Sequence, residues 1–445
     1  MISKFNLSLL VICLHCSVVY ANSRKILLDY INTNEEATRV VKTTLVSNNE
    51  KYKLYNISFD SLKWMDPSKV DNPIWNHNIL IIIPNKVSSG TSFYRVSNGK
   101  RNEAIPNKIH PIVEHVSLKN NAVGIEIRNV PNQPIKFKDS PELLVEDGII
   151  AYGWDKYLGS KDRGYVARLP MLKAAYLGFR AARDFLKKQK IEIKDYVAFG
   201  ESKRGWVVWL LPVVDVAVKA IIPSVIDVLN VQKSMLHHHL VYGAWSPVLK
   251  DYEKFDIPRR MFGNEFGTLM DLIDPYKYRE LISLPKLVIN SANDQFFLPD
   301  NSQFYFKDLV GERHMMFLPN SGHQFKLNQN QLDSIATYFA LIDQNKSLPQ
   351  LKWEKDGNTV HIRSNTEVKE LRVWQASNPK ARDFRLWDDS SPRYKERKIP
   401  KKVKEKKYLI KLDKHSKKLF TSTFIEVIYS LEQGEISFTT EAFVN

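Results

Sequence analysis

Cysteine is almost missing from this chain: its 445 residues include two, Cys13 and Cys16. Both fall in the opening segment MISKFNLSLLVICLHCSVVYANS, where Lys4 precedes an apolar run from Leu7 to Val19 and the small residue Ala21 follows Tyr20. That order is the layout of a secretory signal, with cleavage expected after Ala21. The run, about 13 residues, is shorter than the roughly 20 a membrane span needs. Ile12 and His15 precede the two cysteines where lipid attachment needs a small residue. Residues 22–445 carry no thiol, which excludes disulfides, a cysteine nucleophile and thiolate metal ligands. A periplasmic or secreted protein held together by packing alone is the expectation.

Also missing beyond that segment are internal repeats and any apolar run of 18 residues or more, so no later membrane span is expected. What is present is 43% hydrophobic and 11% aromatic content, ample for buried cores and incompatible with general disorder. Lysine and arginine, 65 against 49 acidic residues, give a net charge of +16, the sign that suits nucleic acid, anionic polymer or a membrane surface. The excess is largely local. Ser391 to Phe420 holds 13 Lys/Arg against 3 acidic residues, a net of +10. Without interleaved stacking aromatics or a helix-turn-helix pattern, this stretch does not indicate a specific nucleic-acid partner. It reads first as solvated loop and strand edge, and second as a contact for anionic polymer or a cell surface.

From about residue 75 to 340, short apolar runs alternate with helical patterns. Ile79–Ile83, Phe93–Ser97, Ala122–Val130, Tyr196–Phe199, Val218–Pro223, Pro285–Asn290 and His314–Leu318 read as strands, several continuously apolar as in a sheet covered on both faces. Leu169–Leu186 spaces Leu172, Ala175, Tyr176, Phe179, Ala182 and Leu186 as an amphipathic helix. The alternation predicts an α/β fold with a mainly parallel sheet over residues 22–347. Its N-terminal edge would be extended by a short helix near Leu27–Ile31 and the strand-like KYKLYNISF. From 348 to 445 the runs Thr359–Arg363, Glu370–Ala376, Tyr408–Leu412, Thr423–Leu431 and Ile436–Phe443 predict an antiparallel β-sandwich.

Chemistry concentrates in DYVAFGESKRGWVVWLL, residues 195–211, where an apolar strand runs through Gly200-Glu201-Ser202-Lys203-Arg204-Gly205 into a helical stretch. This is the setting of a nucleophile elbow, in which a strained turn lifts a serine hydroxyl clear of the sheet. The second glycine comes at Gly205, one place later than in GxSxG. Asp294 follows the strand PKLVIN, and His323 follows HMMFLP, so serine, acid and histidine appear in α/β-hydrolase order, each beyond the C-terminal end of a strand. In such a triad Ser202 attacks a carbonyl, His323 takes its proton, and Asp294 orients the imidazole. Asp227 is an alternative acid and Asp300 a weaker one. For the oxyanion hole, the Lys203 amide and the amide of Gly99 or Lys100, in the loop after FYRVS, are the candidates. Lys100, Arg101, Lys203 and Arg204 would make the mouth cationic, as an anionic substrate would require; a solvated rim is the other reading.

The insertion at about 230–277 follows the sixth strand, where α/β hydrolases carry a cap, and is rich in aromatics including Tyr242, Trp245, Tyr252, Phe255, Phe262 and Phe266. His237-His238-His239 lies within it. Consecutive helical side chains diverge, so a metal site there is not expected.

Several segments together resemble the PhoPQ-activated pathogenicity-related protein family, which also includes a eukaryotic autocrine proliferation repressor. They are Trp75-x-His77, Val130-Pro131-Asn132-Gln133-Pro134, Glu146-Asp147-x-Ile149-Ile150-Ala151-Tyr152, Leu169-Pro170-Met171, Gly200-x-Ser202-Lys203-Arg204-Gly205-Trp206, Asp274-Pro275-Tyr276-x-Tyr278, Pro285–Asn290, Asp294-x-Phe296-Phe297-x-Pro299-Asp300 and Asp383-Phe384-Arg385. The resemblance, over residues 60–445, implies an α/β-hydrolase fold with a C-terminal β-domain and a hydrolase-like triad at Ser202, Asp294 and His323. Gln295 stands where the family usually has an acid, and the oxyanion-loop Gly-Gly is reduced to Asn98-Gly99. The functional expectation is an exported serine hydrolase of ester or amide bonds in a small molecule or peptide, needing no metal or organic cofactor. A secreted signalling or surface-binding protein on the same scaffold is the alternative.

Overall fold

The computed structural model describes residues 22–400, 406–412 and 419–445. The expected signal segment, with Cys13 and Cys16, lies outside the described residues, as do 401–405 and 413–418 of the basic stretch.

A helix over residues 22–32 (α1) precedes β1 (Arg39–Asn48), β2 (Tyr52–Lys63), β3 (Ile74–Pro84) and β4 (Thr91–Val96). After α2 (Pro111–Asn120) come β5 (Gly124–Ile127), a small hairpin of β6 (Ile135–Lys136) and β7 (Leu143–Leu144), then α3 (Glu146–Ser160) and α4 (Arg168–Lys188). The C-terminal half of the sheet is built from β8 (Asp195–Glu201), α5 (Lys203–Val214), β9 (Val218–Ser224), β10 (Lys286–Ser291), β11 (Arg313–Leu318) and a last helix (Gln329–Asp343). Four short helices fill the insertion after β9, α6 (Val231–Tyr242), α7 (Lys250–Lys254), α8 (Ile257–Arg260) and α9 (Asn264–Ile273); the last helix is α10.

Among the described residues nine strands form one sheet in the order β1-β2-β3-β5-β4-β8-β9-β10-β11. The pairs from β1 through β3 to β5 are antiparallel, and all others are parallel. Apart from the edge strand β1, this is the eight-strand α/β-hydrolase sheet, with its second strand reversed and its third and fourth exchanged. The apolar runs become strands buried on both faces, β3 from Leu80 to Ile83 and all six residues of β10. α4 lays Leu172, Ala175, Phe179, Ala182 and Leu186 on β2, β3 and β5.

The C-terminal segment forms two antiparallel sheets. One is β12 (Leu351–Asp356), β13 (Thr359–Ser364) and β16 (Lys407–Lys411); the other orders β15 (Lys395–Ile399), β14 (Glu370–Asn378), β17 (Phe420–Leu431) and β18 (Gly434–Thr439), with β19 (Phe443–Val444) beside β17. The described basic residues lie largely on β15 and β16, both sheet edges and mostly exposed, where lysine opposes edge-to-edge association. The core does not part at residue 348: Val373, Ile425 and Phe438 share one buried cluster with Leu80, Met316 and Tyr338. Among the described residues no helix is long and apolar enough to cross a membrane.

Candidate active site

β8 ends at Glu201 and α5 begins at Lys203, so one residue makes the turn. That residue, Ser202, has φ 55° and ψ −126°, a backbone state costing on the order of 1–3 kcal/mol that persists only where its surroundings impose it. Two glycines let them do so. A Cβ on Gly200 would stand 2.9 Å from the Arg204 carbonyl carbon, and one on Gly205 would stand 2.9 Å from the Gly200 oxygen and 3.1 Å from that of Ser224. The close approach of α5 to β8 and β9 therefore needs glycine at −2 and +3. Position +2 is free to carry the Arg204 side chain, which accounts for the departure from GxSxG.

The Ser202 side chain makes no capping bond to its own helix. Its Oγ lies 2.9 Å from His323 Nε2, while His323 Nδ1 lies 2.9 and 3.1 Å from the two Asp294 oxygens. Asp294 is buried, and its Oδ1 also accepts the Phe296 N–H at 2.7 Å. Phe296 and Phe297 flank the imidazole, with ring centroids at 4.3 and 5.8 Å. The rival acids are engaged elsewhere. Asp227 accepts from the Tyr305 hydroxyl at 2.7 Å, and burial pushes its carboxyl well above the usual range despite that bond, with Asp294 and Asp300 adding to the rise. Asp300 holds His237 at 3.1 Å and Arg382 at 2.5 Å.

Beneath the elbow lies an ion cluster whose partners sequence reasoning missed. Lys203 Nζ lies 2.9 Å from Glu146 and 3.3 Å from Asp147, and Arg204 grips both Glu146 oxygens at 2.7 Å while its Nε donates to the Val130 carbonyl at 2.5 Å. Glu146 takes a left-handed φ of 49°, held by the Gln133 amide, which accepts from its N–H at 2.7 Å and donates to its carboxylate at 2.5 Å. Burial alone would raise the Glu146 carboxyl, but the bonds and charges of Arg204 and Lys203 outweigh it and hold it far below the ordinary range. Arg168, stacked on Trp206, donates to the Lys203 carbonyl at 3.0 Å; burial pulls its guanidinium down to about 10. The motifs around Val130, Glu146 and Ser202 thus converge on one turn. In the sequence these are three separate motifs with nothing that joins them.

Gln295 joins the histidine loop to the C-terminal segment: its Oε1 accepts the His323 N–H at 2.8 Å, and its Nε2 donates to the Leu386 carbonyl. Glutamate could not make the second bond, a physical reason for an amide at this position. Asn293 is tied to the same segment through the carbonyls of Phe384 (2.5 Å) and Pro392 (3.1 Å).

The Lys100 amide donates to Glu103 at 3.2 Å, and of this loop it is Asn98, not Gly99 or Lys100, that lines the cavity above Ser202. Gly99 is small for packing, since a Cβ there would meet the Asn129 side-chain oxygen at 2.1 Å. Of the four cations expected at the mouth, Lys203 and Arg204 are balanced by Glu146 and Asp147, Arg101 pairs with Asp71 at 2.6 Å, and only Lys100 has no ion pair among the described residues. The Lys203 amide, first in α5, has no acceptor within the helix.

The three consecutive histidines diverge. His237 meets Asp300, buried His238 accepts the Ser246 N–H at 3.1 Å, and His239 stacks on Trp245 at 4.8 Å. Burial pulls His238 down to about 4. Among the described residues no group of three or more His, Cys, Asp or Glu side chains could hold a metal ion.

A family model described as PhoPQ-activated pathogenicity-related protein matches residues 27–385. It starts earlier than the motifs quoted above and stops before β15. Autocrine proliferation repressor protein A of Dictyostelium discoideum is 33% identical over 355 residues, covering 78% of this chain and 71% of that protein. Among solved structures, acetyl xylan esterase 1 from Thermoanaerobacterium sp. JW/SL YS485 is similar at 12% identity and TM-score 0.49, covering 72% of this chain and 92% of that one. An acetyl xylan esterase from Paenibacillus sp. R4 is similar at 15% identity and TM-score 0.46, covering 69% and 89%. With its hydrolase-like scaffold and with both family comparisons spanning most of its length, the chain belongs to the PhoPQ-activated pathogenicity-related protein family.

Proposed function

We propose that the protein is an exported serine hydrolase that cleaves ester or amide bonds through an acyl-enzyme on Ser202. The observation that carries the reading is the unbroken line Ser202 Oγ, His323 Nε2, His323 Nδ1, Asp294, with each step at 2.9 Å, set on a strained elbow. As Ser202 Oγ attacks the carbonyl carbon, its proton passes to His323 Nε2, and Asp294 steadies the imidazolium. The oxyanion then faces the Lys203 amide, whose helix N-terminus adds a favourable dipole. We assign the second donor to Asn98, the residue of its loop that reaches the cavity. His323 returns the proton to the leaving group, and water repeats the sequence on the acyl-enzyme.

Turnover of p-nitrophenyl acetate by residues 22–445 tests the reading. Ser202→Ala should lose at least about 10⁴-fold in kcat. Turnover that survives in the alanine variant would remove Ser202 from the chemistry. No turnover by the wild type would favour a binding protein on a hydrolase scaffold.

A further inference from the structure

Ser202 sits between two dissimilar cavities, and the position of His323 separates their roles. The larger, about 870 Å³, opens to solvent and is lined by Arg95, His110, Arg128, Glu201 and His323. The smaller, about 70 Å³, lies under the 230–277 insertion between Trp154, Trp206, Met235, Trp245, Met261 and Phe297, and His323 is not part of its wall. Asp147, Ser202, Lys203 and Phe296 border both.

From this geometry we propose that the substrate is an ester of a short-chain carboxylic acid with a large, uncharged, hydroxyl-rich alcohol, the acyl group entering the small cavity and the alcohol occupying the large one. The assignment rests on the reading of Ser202 as nucleophile and follows from where the protons must go. The Ser202 Oγ–acyl bond forms as the serine proton moves to His323 Nε2. When the tetrahedral intermediate collapses, the bond from acyl carbon to alcohol oxygen breaks, and His323 Nε2 protonates that oxygen. The alcohol must therefore depart on the side His323 lines. Water entering by the same side gives its proton to His323 and releases the acid. The acyl chain stays on the other side.

Size limits that chain. An apolar cavity of about 150 Å³ takes up benzene, with six carbons. Roughly half that volume accommodates two to four carbons, and the polar residues on its wall are turned to one another: Lys203 pairs with Asp147 at 3.3 Å, Tyr252 donates to Asp147 at 3.0 Å, and Arg168 donates to the Lys203 carbonyl at 3.0 Å. The large cavity differs in kind. Arg95 is paired with Glu126 at 2.6 Å and with Glu201 at 2.9 Å, and Arg128 with Glu103 at 3.0 Å and Glu126 at 3.3 Å. Paired ions present donors and acceptors side by side, which suits hydroxyl groups; bidentate recognition of a phosphate or carboxylate would need these arginines left free, and the other lining cation outside the elbow, Lys326, is an exposed rim lysine.

The test is kcat/KM of residues 22–445 on p-nitrophenyl esters of two, four, six, eight and twelve carbons, with fluorophosphonate labelling alongside. Acetyl and butyryl esters should exceed octanoyl at least tenfold. Met235→Ala should move the optimum to six carbons, and Val228→Phe, which fills the same cavity, should depress butyrate more than acetate; either variant suffices if the other fails to fold. A peracetylated disaccharide should exceed ethyl acetate at least tenfold. An optimum at eight carbons or more, or a flat profile, with labelling intact overturns the acyl assignment while Ser202 stands as nucleophile. Equal rates on the disaccharide and ethyl acetate overturn the alcohol assignment. Failure of both labelling and turnover overturns the nucleophile reading and the proposal with it.

Discussion

Glu146 offers the sharpest energetic test of how the elbow is held. Replacing it with alanine leaves Lys203 and Arg204, whose side chains are 7% and 6% exposed, without their shared partner. Removing one member of a buried pair costs about 3–5 kcal/mol, because the remaining charge has been taken from water without compensation. Two features of the site place this case at the low end. Glu146 is itself one-third exposed, and Lys203 keeps Asp147 at 3.3 Å. A loss of about 3 kcal/mol at pH 7 is therefore expected, read from urea unfolding followed by tryptophan fluorescence. Acid should narrow the gap, and the direction follows from linkage. The carboxyl is held below its unfolded value of about 4.3, so its contribution is complete above that pH and is lost as pH falls below it. The difference between wild type and Glu146→Ala should shrink by up to about 1.4 kcal/mol per unit below pH 4.3. A difference under about 0.5 kcal/mol at pH 7, within the range of an ordinary surface change, or one that does not vary with pH would refute the buried-pair account.

Three further predictions address the site. Asp294→Asn should lower kcat by about 10⁴-fold by favouring the wrong imidazole tautomer, whereas Asp227→Asn should keep activity within a few-fold. Because the Asp227 carboxyl is raised in the fold, wild type loses stability as pH rises above the unfolded value of about 3.9, so Asp227→Asn should also gain stability relative to wild type from acid towards alkaline pH, as thermal unfolding at pH 4 and 9 would show. Gly205→Ala should cost about 1–3 kcal/mol, since its methyl group meets two carbonyl oxygens at about 3 Å; an unchanged urea midpoint would contradict the packing at the elbow. Gln295→Ala should reduce kcat while leaving the fluorophosphonate adduct on Ser202, and Gln295→Glu should fail to restore it, because glutamate cannot donate to Leu386.

The places of Ser202, Asp294 and His323 were legible because each lies just beyond the end of an apolar run, and those runs are strands β8, β10 and β11. Elements without a one-sided pattern were not. Much of α3 is buried, so it carries no stripe at helical spacing. β1 and β15 are exposed along most of their length and present no apolar face to read. The ion cluster was hidden for another reason. Glu146 and Arg204 are 58 residues apart, and nothing in either segment specifies the other until the fold brings them together. In the loop after β4, glycine signals a tight approach without saying to what, and Gly99 approaches Asn129.

The central claim is that Ser202 is a nucleophile activated by His323. Peptide mapping by mass spectrometry after treatment of residues 22–445 with a fluorophosphonate tests it most directly. A single adduct on the peptide bearing Ser202, lost in Ser202→Ala and slowed at least about 10³-fold in His323→Ala, is the predicted result. An adduct on another residue, or one on Ser202 that forms as fast without His323, would contradict it.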